Sequence, residues 1–213
     1  MTRTRKRSLF VMIPAAAIAV AAAVPDSQTY AAAAVPVEAI APATYEIDPV
    51  HSELSFRIRH LVGRVAGTFN DWSGTLTLDP ANLASGAVTV TVNTKSINTL
   101  VEQRDDHLRT PDFFAADSFP TMTFRSRSVE AVGTRLAVHG DLTLRGVTKP
   151  VVLDAIYLGK LEEDPWGQER VAFLATTKIN RQDFGVSFNQ SLAEMTMIGD
   201  EVEIEIAIEA VKQ

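Results

Sequence analysis

Residues Arg135–Tyr157, RLAVHGDLTLRGVTKPVVLDAIY, constrain the fold of this chain more than any other stretch. Val138, Leu142 and Leu144 alternate with Arg135, His139, Asp141, Thr143 and Arg145, the period of two expected of a strand with one dry face. Gly146 supplies an unusual φ at a tight connection, and Pro150 opens the return strand, where a missing N–H does least harm. That strand sets Val151, Leu153, Ala155 and Tyr157 against Asp154. A hairpin so long and so one-sided is unstable alone, so more sheet must cover its apolar face.

The rest of the chain supplies that sheet. Tyr45–Ile47 opens a short strand, Asp48-Pro49 turns, and Leu54, Phe56 and Ile58 then face in, with His60 continuing their parity. Gly63–Leu78 carries two runs around a break at Asn70-Asp71, with Val65, Phe69, Trp72, Leu76 and Leu78 inward. Ser85–Asn93, Thr121–Ser128 and Val171–Lys178 are further strands, the last two bringing Phe124 and Phe173 inward. In Asp200–Ala210 the inward set is Val202, Ile204, Ile206 and Ile208, facing away from Glu201, Glu203, Glu205 and Glu209. About eight antiparallel strands with uniform alternation predict an all-β, up-and-down barrel with one inserted helix. A two-sheet sandwich is the runner-up.

The helix is expected over Asn98–Arg109, started by a capping box of Thr99 and Glu102 and stopped before Pro111. Leu100 and Leu108 are its few apolar residues, so it should lie over an opening, with Phe113 and Phe114 beside it and an Asp105–Arg109 pair on its solvated face.

Arg3, Arg5, Lys6 and Arg7 precede an apolar run, Leu9–Val24, and alanine-rich cleavage sites. Residues 1–23 therefore read as a secretory signal peptide, with a retained anchor as the alternative. Residues 24–43 read as an alanine- and proline-rich linker, and 44–213 as the barrel. Cleavage after Ala23 would take the formal charge from −6 to −10, which disfavours nucleic acid and anionic membranes as partners. The chain has no cysteine, so disulfides and thiolate metal sites are excluded. The four histidines lack ligand spacing, and His139 reads as solvated. No metal or cofactor is expected. There is no nucleophile elbow, phosphate loop or pair of buried carboxylates, which argues against an enzyme.

The expected interior lining is Leu54, Phe56, Ile58, Phe69, Trp72, Leu76, Phe124, Val138, Leu142, Leu144, Leu153, Phe173, Ile204 and Ile206. The residues alone leave two readings open and favour a solid core over a ligand cavity. Gly74 and Gly140 share the inward parity and are expected to leave interior space that valine could enter at little cost in stability.

Six segments, IDPVHSELSFRIRH, RVAGTFNDWSGTLTLD, QRDDHLRTPDFF, FPTMTFRS, GDLTLRGVTKPV and INRQDFGV, resemble the YceI family of secreted bacterial proteins across about residues 44–211. The resemblance implies a lipocalin-like barrel in the periplasm whose channel binds a polyisoprenoid or an isoprenoid quinone, with homodimers in some members. It shifts the expected function to a carrier of a long apolar small molecule. An accessory or stress-related partner-binding module and an enzyme acting on such lipids are the alternatives. His60, Arg104 and Asp183 are the candidates for fixing a polar headgroup at the mouth, under Leu100, Leu108, Phe113 and Phe114.

Overall fold

The computed structural model describes residues 42–79, 81–192 and 195–213; the signal-peptide expectation and almost all of the linker lie outside them. Fourteen elements follow in order. They are β1 (Ala43–Ile47), β2 (Glu53–His60), β3 (Gly63–Phe69), β4 (Trp72–Asp79), β5 (Asn82–Asn93), β6 (Ile97–Asn98) and α1 (Glu102–Arg109), then β7 (Thr121–Val132), β8 (Arg135–Leu144), β9 (Val147–Leu161), β10 (Arg170–Asn180), β11 (Ser191–Leu192), β12 (Met195–Thr196) and β13 (Ile198–Lys212).

Eight strands close in the order β1-β4-β5-β7-β8-β9-β10-β13, and β13 pairs back onto β1, so the sheet is an antiparallel barrel. β2, β3 and β6 form a second tier. β13 pairs with β2 between Ile198 and Ala207 and with β1 between Ala210 and Lys212, so β2 and β1 succeed one another along it, and β3 and β6 extend β4 and β5 in the same way. The Asn70-Asp71 break expected from sequence separates β3 from β4.

The opening hairpin is β8 and β9. Its turn is Arg145-Gly146, with both residues at positive φ (52° and 74°) and Leu144 paired to Val147, the two-residue geometry that suits strand twist. A Cβ on Gly146 would also stand 2.8 Å from the Phe119 ring. Pro150 is not the first residue of its strand, as expected, but the fourth. It is tolerated because β9 pairs with β10 only from Asp154 onward, leaving the Pro150 edge free.

One end of the barrel is shut. Tyr45, Val171 and Ala210 are almost wholly buried there, and the Tyr45 hydroxyl donates to Glu169. Arg170 ties the end together, reaching Asp164 at 2.5 Å, Glu209 at 2.7 Å and Asp48 at 2.8 Å. Asp164 also accepts the N–H groups of Trp166 and Gln168, which organises the polar turn before β10. The Arg170 guanidinium holds the Asp48 and Asp164 carboxyls below the usual carboxylate range. The Tyr45 hydroxyl, with Lys212 behind it, does the same for Glu169, while burial and then Glu169 push the Tyr45 phenol up. Asp48, His51 and Glu209 converge closely enough to suggest a cation site, but Arg170 already neutralises two of the three.

The two interior glycines do not open space. A Cβ on Gly140 would meet the Arg125 carbonyl at 2.6 Å and the Phe124 ring at 2.4 Å, and one on Gly74 the Thr89 carbonyl at 2.5 Å. The neighbouring strand's backbone and the Phe124 ring already occupy that volume, so the expectation that valine is tolerated at either position is corrected. His139 also departs from expectation. Its side chain lies on the outer face, yet its Nε2 is covered and without a hydrogen-bond partner, with the nearest Glu130 oxygen at 3.8 Å.

Candidate functional site: a two-lobed barrel interior

The interior is not solid. It holds two adjoining cavities that share Leu54, Met122 and Ile204 as walls. Lobe 1, about 150 Å³, lies in the tier of β4 and β5 and takes all of its lining from strands, with no charged side chain. Lobe 2, about 380 Å³, lies in the tier of β2, β3 and β6, under α1 and the loops that follow β6 and β10. Left dry, a void the size of lobe 2 would cost on the order of 9 kcal/mol at 24 cal/mol per Å³. That is comparable with the whole stability of a domain. The solid core favoured by the residues alone is therefore replaced by a hollow one. The inward side chains line two cavities within the packed interior.

All fourteen expected lining residues stand on these walls. Trp72, Leu76, Phe124, Val138, Leu142, Leu153, Phe173 and Ile206 face lobe 1, Phe56, Ile58, Phe69 and Leu144 face lobe 2, and Leu54 and Ile204 face both.

Of the seven mouth residues, His60, Arg104, Leu108, Phe113 and Phe114 line lobe 2, and Leu100 and Asp183 do not. Leu100 is 90% exposed, because it takes a left-handed backbone (φ 66°) that turns it away from the roof. Asp183 is exposed on the 3-10 turn Arg181–Phe184; the buried members of that turn are Arg181 and Phe184.

The capping box does not form either. The helix starts at Glu102 with Val101 as its N-cap, and no side chain caps it. Leu100's turn takes Thr99 out of capping position, and Thr99 is buried instead. Its N–H and hydroxyl donate to Asp105 at 2.9 and 2.5 Å, and it receives Arg104 Nε at 2.7 Å. Asp105 is thus inside, and Arg109 pairs with Asp106 at 2.8 Å in place of the expected Asp105. Arg109 also donates to the Lys95 and Ile97 carbonyls, docking α1 onto the second tier.

Aromatic rings roof lobe 2 in two groups. Phe56, Phe69 and Phe114 pack in series, the first pair tilted at 5.9 Å and the second edge-to-face at 5.7 Å between centroids. His107, Phe113 and Phe188 pack mutually at 4.9–5.1 Å. Arg145 of the β8–β9 turn donates to the Pro111 and Phe113 carbonyls and fixes this loop.

Sequence reasoning missed Arg181, Phe188 and His107. Arg181 is buried and donates to the carbonyls of Gly199, Val186 and Phe188 and to Asp200. Burial lowers its pKa, although Asp200 works in the opposite direction. The charged and ring-nitrogen groups of lobe 2 are Arg59, His60, Arg104, His107 and Arg181; among the described residues no carboxylate lines it.

A YceI-like domain model matches residues 45–210. The chain belongs to the YceI family. Protein YceI of Shigella flexneri is 42% identical over 174 residues, covering 80% of this chain and 88% of that protein. Protein YceI of Escherichia coli O157:H7 matches to the same extent. Among solved structures, the Campylobacter jejuni YceI protein is 33% identical with a TM-score of 0.63, covering 73% of this chain and 90% of its own. A domain from Saccharophagus degradans, described as polyisoprenoid binding, shares the fold at TM-score 0.59 and 17% identity, over 80% of this chain and 99% of its own. The YceI match includes every residue that lines either lobe, so both lobes lie inside the family domain.

Proposed function

We propose that this chain is a periplasmic carrier for one long isoprenoid chain of the polyprenyl or isoprenoid-quinone type. The observation that carries the reading is the contrast within one cavity. Lobe 1 carries no charged side chain and only Thr77 and Thr177 as polar ones, whereas lobe 2 presents donors and no acid among the described residues. An apolar tail would lie in lobe 1, and a headgroup rich in acceptor oxygens, whether quinone carbonyl or phosphate, would meet His60 and Arg104. The polyisoprenoid-binding description of the Saccharophagus degradans domain supports the same class of ligand.

The reading assigns no catalysis. Arg181 is held by backbone carbonyls and His107 by Asp112 at 2.9 Å, so these two are engaged in structure, while two hydrogen bonds to Thr99 orient Arg104 as a binding group. Among the described residues no helix is long and apolar enough to cross a membrane.

Mass spectrometry of the natively purified protein tests the ligand. An isoprenoid released on denaturation is expected, whereas repeated recovery of lipid-free protein that also takes up no added isoprenoid would favour a partner-binding module. N-terminal sequencing of the exported protein tests the location. A start between Ala22 and Ala34 is expected, and an intact Met1 would contradict it.

A further inference from the structure

We propose that the barrel wall parts between β5 and β7, and that this split is a second portal through which the far end of a long isoprenoid leaves lobe 1. The proposal rests on the carrier reading and adds one property, that the length of the bound chain is not capped by the cavity.

The pairing of β5 with β7 runs only from Thr89↔Arg125 to Asn93↔Thr121. Both strands are longer. The first half of β5, from Asn82, continues on β4, and β7 continues to Val132 on β8. A bulge displaces the β7 register against β8 between Ser126 and Ser128, the kind of insertion that bends and twists a strand away from its neighbour. At the point of divergence the Ser126 hydroxyl accepts the Val88 N–H at 2.9 Å, so a side chain closes the ladder where backbone no longer reaches. Beyond it the free strand edges face water, which satisfies their polar groups.

Lobe 1 extends to this split. Leu83, Gly86 and Ala87 of β5 and Val129 of β7 line it, and none of them is buried. The inward residues of β5 record the opening. Val92 is 3% exposed, whereas Val90, Val88 and Gly86, successively nearer the split, are only half-buried. Burial therefore falls toward the split. With a headgroup at lobe 2, the split lies at the opposite end of the interior, where a chain longer than the two lobes must emerge.

Two measurements test this. The first is binding of a homologous series, farnesol, solanesol and undecaprenol, to the wild type and to Leu83→Trp and Val129→Trp, with thermal denaturation run beside them to show that each variant folds. The wild type is expected to hold the longer chains at least as tightly as farnesol, and the tryptophan variants to weaken the longer chains at least tenfold more than farnesol. A wild-type affinity that falls with chain length, or variants that weaken all lengths equally, would overturn the portal.

The second measurement is thiol labelling, which needs neither those variants nor a ligand. The chain has no cysteine of its own. Leu136→Cys, in the lobe 1 wall, is expected to react with a small methanethiosulfonate at least tenfold faster than Ala210→Cys at the shut end. Equal rates would overturn the portal. If no isoprenoid of any length binds, the carrier reading falls and the labelling alone decides the split.

Discussion

Every residue on lobe 1 comes from a strand, whereas lobe 2 takes Arg104, His107 and Leu108 from α1 and Phe113, Phe114, Arg181, Val186 and Phe188 from the segments around it. The two lobes share three walls yet differ in chemistry because they differ in construction. Strand alternation yields an almost wholly apolar surface, since each inward position is fixed by the pleat. Turns and a short helix can aim polar groups inward, but only when other groups hold them, as Asp105 holds Thr99 and the carbonyls of Val186 and Phe188 hold Arg181. The difference teaches that one interior can carry two chemistries when one end is strand-built and the other is loop-built.

The largest expected effect comes from removing the anchor of the loop-built lobe. Arg181→Met leaves the carbonyls of Gly199, Val186 and the half-buried Phe188 without their donor, and at roughly 1–3 kcal/mol for each unsatisfied group the loss should reach at least about 3 kcal/mol. Denaturant unfolding measures it. Uptake of a small apolar dye into lobe 1 should survive in the fraction that remains folded. A loss below about 1 kcal/mol would mean that the loop holds itself.

The strand-built lobe breaks differently. Gly140→Val drives methyls against the Arg125 carbonyl and the Phe124 ring, an overpacking that should cost about 1–3 kcal/mol or more. Gly74→Val should cost about as much. Calorimetry that finds either variant as stable as the wild type would show that the wall yields more than its backbone contacts allow.

These two regions also mark how much was legible in the sequence. The eight-stranded circuit, the Asn70-Asp71 break and the fourteen lining positions all follow from a period of two, which governs the barrel strands between the bulges that interrupt four of their pairings. What failed lies where that period has no hold. Leu100, as one of the few apolar residues of the inserted helix, and Asp183, in the insertion after β10, are expected at the mouth, but a positive φ and a 3-10 turn rotate them out. Arg181 was hidden because its partners are backbone carbonyls, which carry no sequence signal. The hollowness was hidden too, since inward parity names the wall and does not tell whether opposite walls touch.

A smaller effect separates headgroup from tail. His60→Ala with Arg104→Ala should weaken an isoprenoid bearing a quinone or phosphate head about tenfold, near 1.4 kcal/mol. The corresponding hydrocarbon should bind with less change. Equal losses for both ligands, followed by calorimetry or fluorescence titration, would mean that binding in lobe 2 is apolar as well.

The smallest effect at neutral pH belongs to the shut end. Asp48, Asp164 and Glu169 have folded pKa values below their ordinary ones, so the stability they contribute is present above about pH 4 and is lost as pH falls through the folded values. Tyr45 is shifted upward, so its contribution is present below about pH 10 and is lost as pH rises through its folded value. The melting temperature should therefore be flat across neutral pH and fall below about pH 4. Asp48→Asn should flatten the acid limb, and an unchanged limb would place the titration elsewhere.

The most direct test of the central claim is the direction in which the chain lies. Photocrosslinking with two isoprenoids, one carrying a diazirine beside the headgroup and one at the far end, followed by peptide mapping, reads it. The head probe should label residues around His60, Arg104 and His107, and the tail probe should label Leu83, Val129 and Leu136. Reversed labelling, or the same peptides from both probes, would contradict the account.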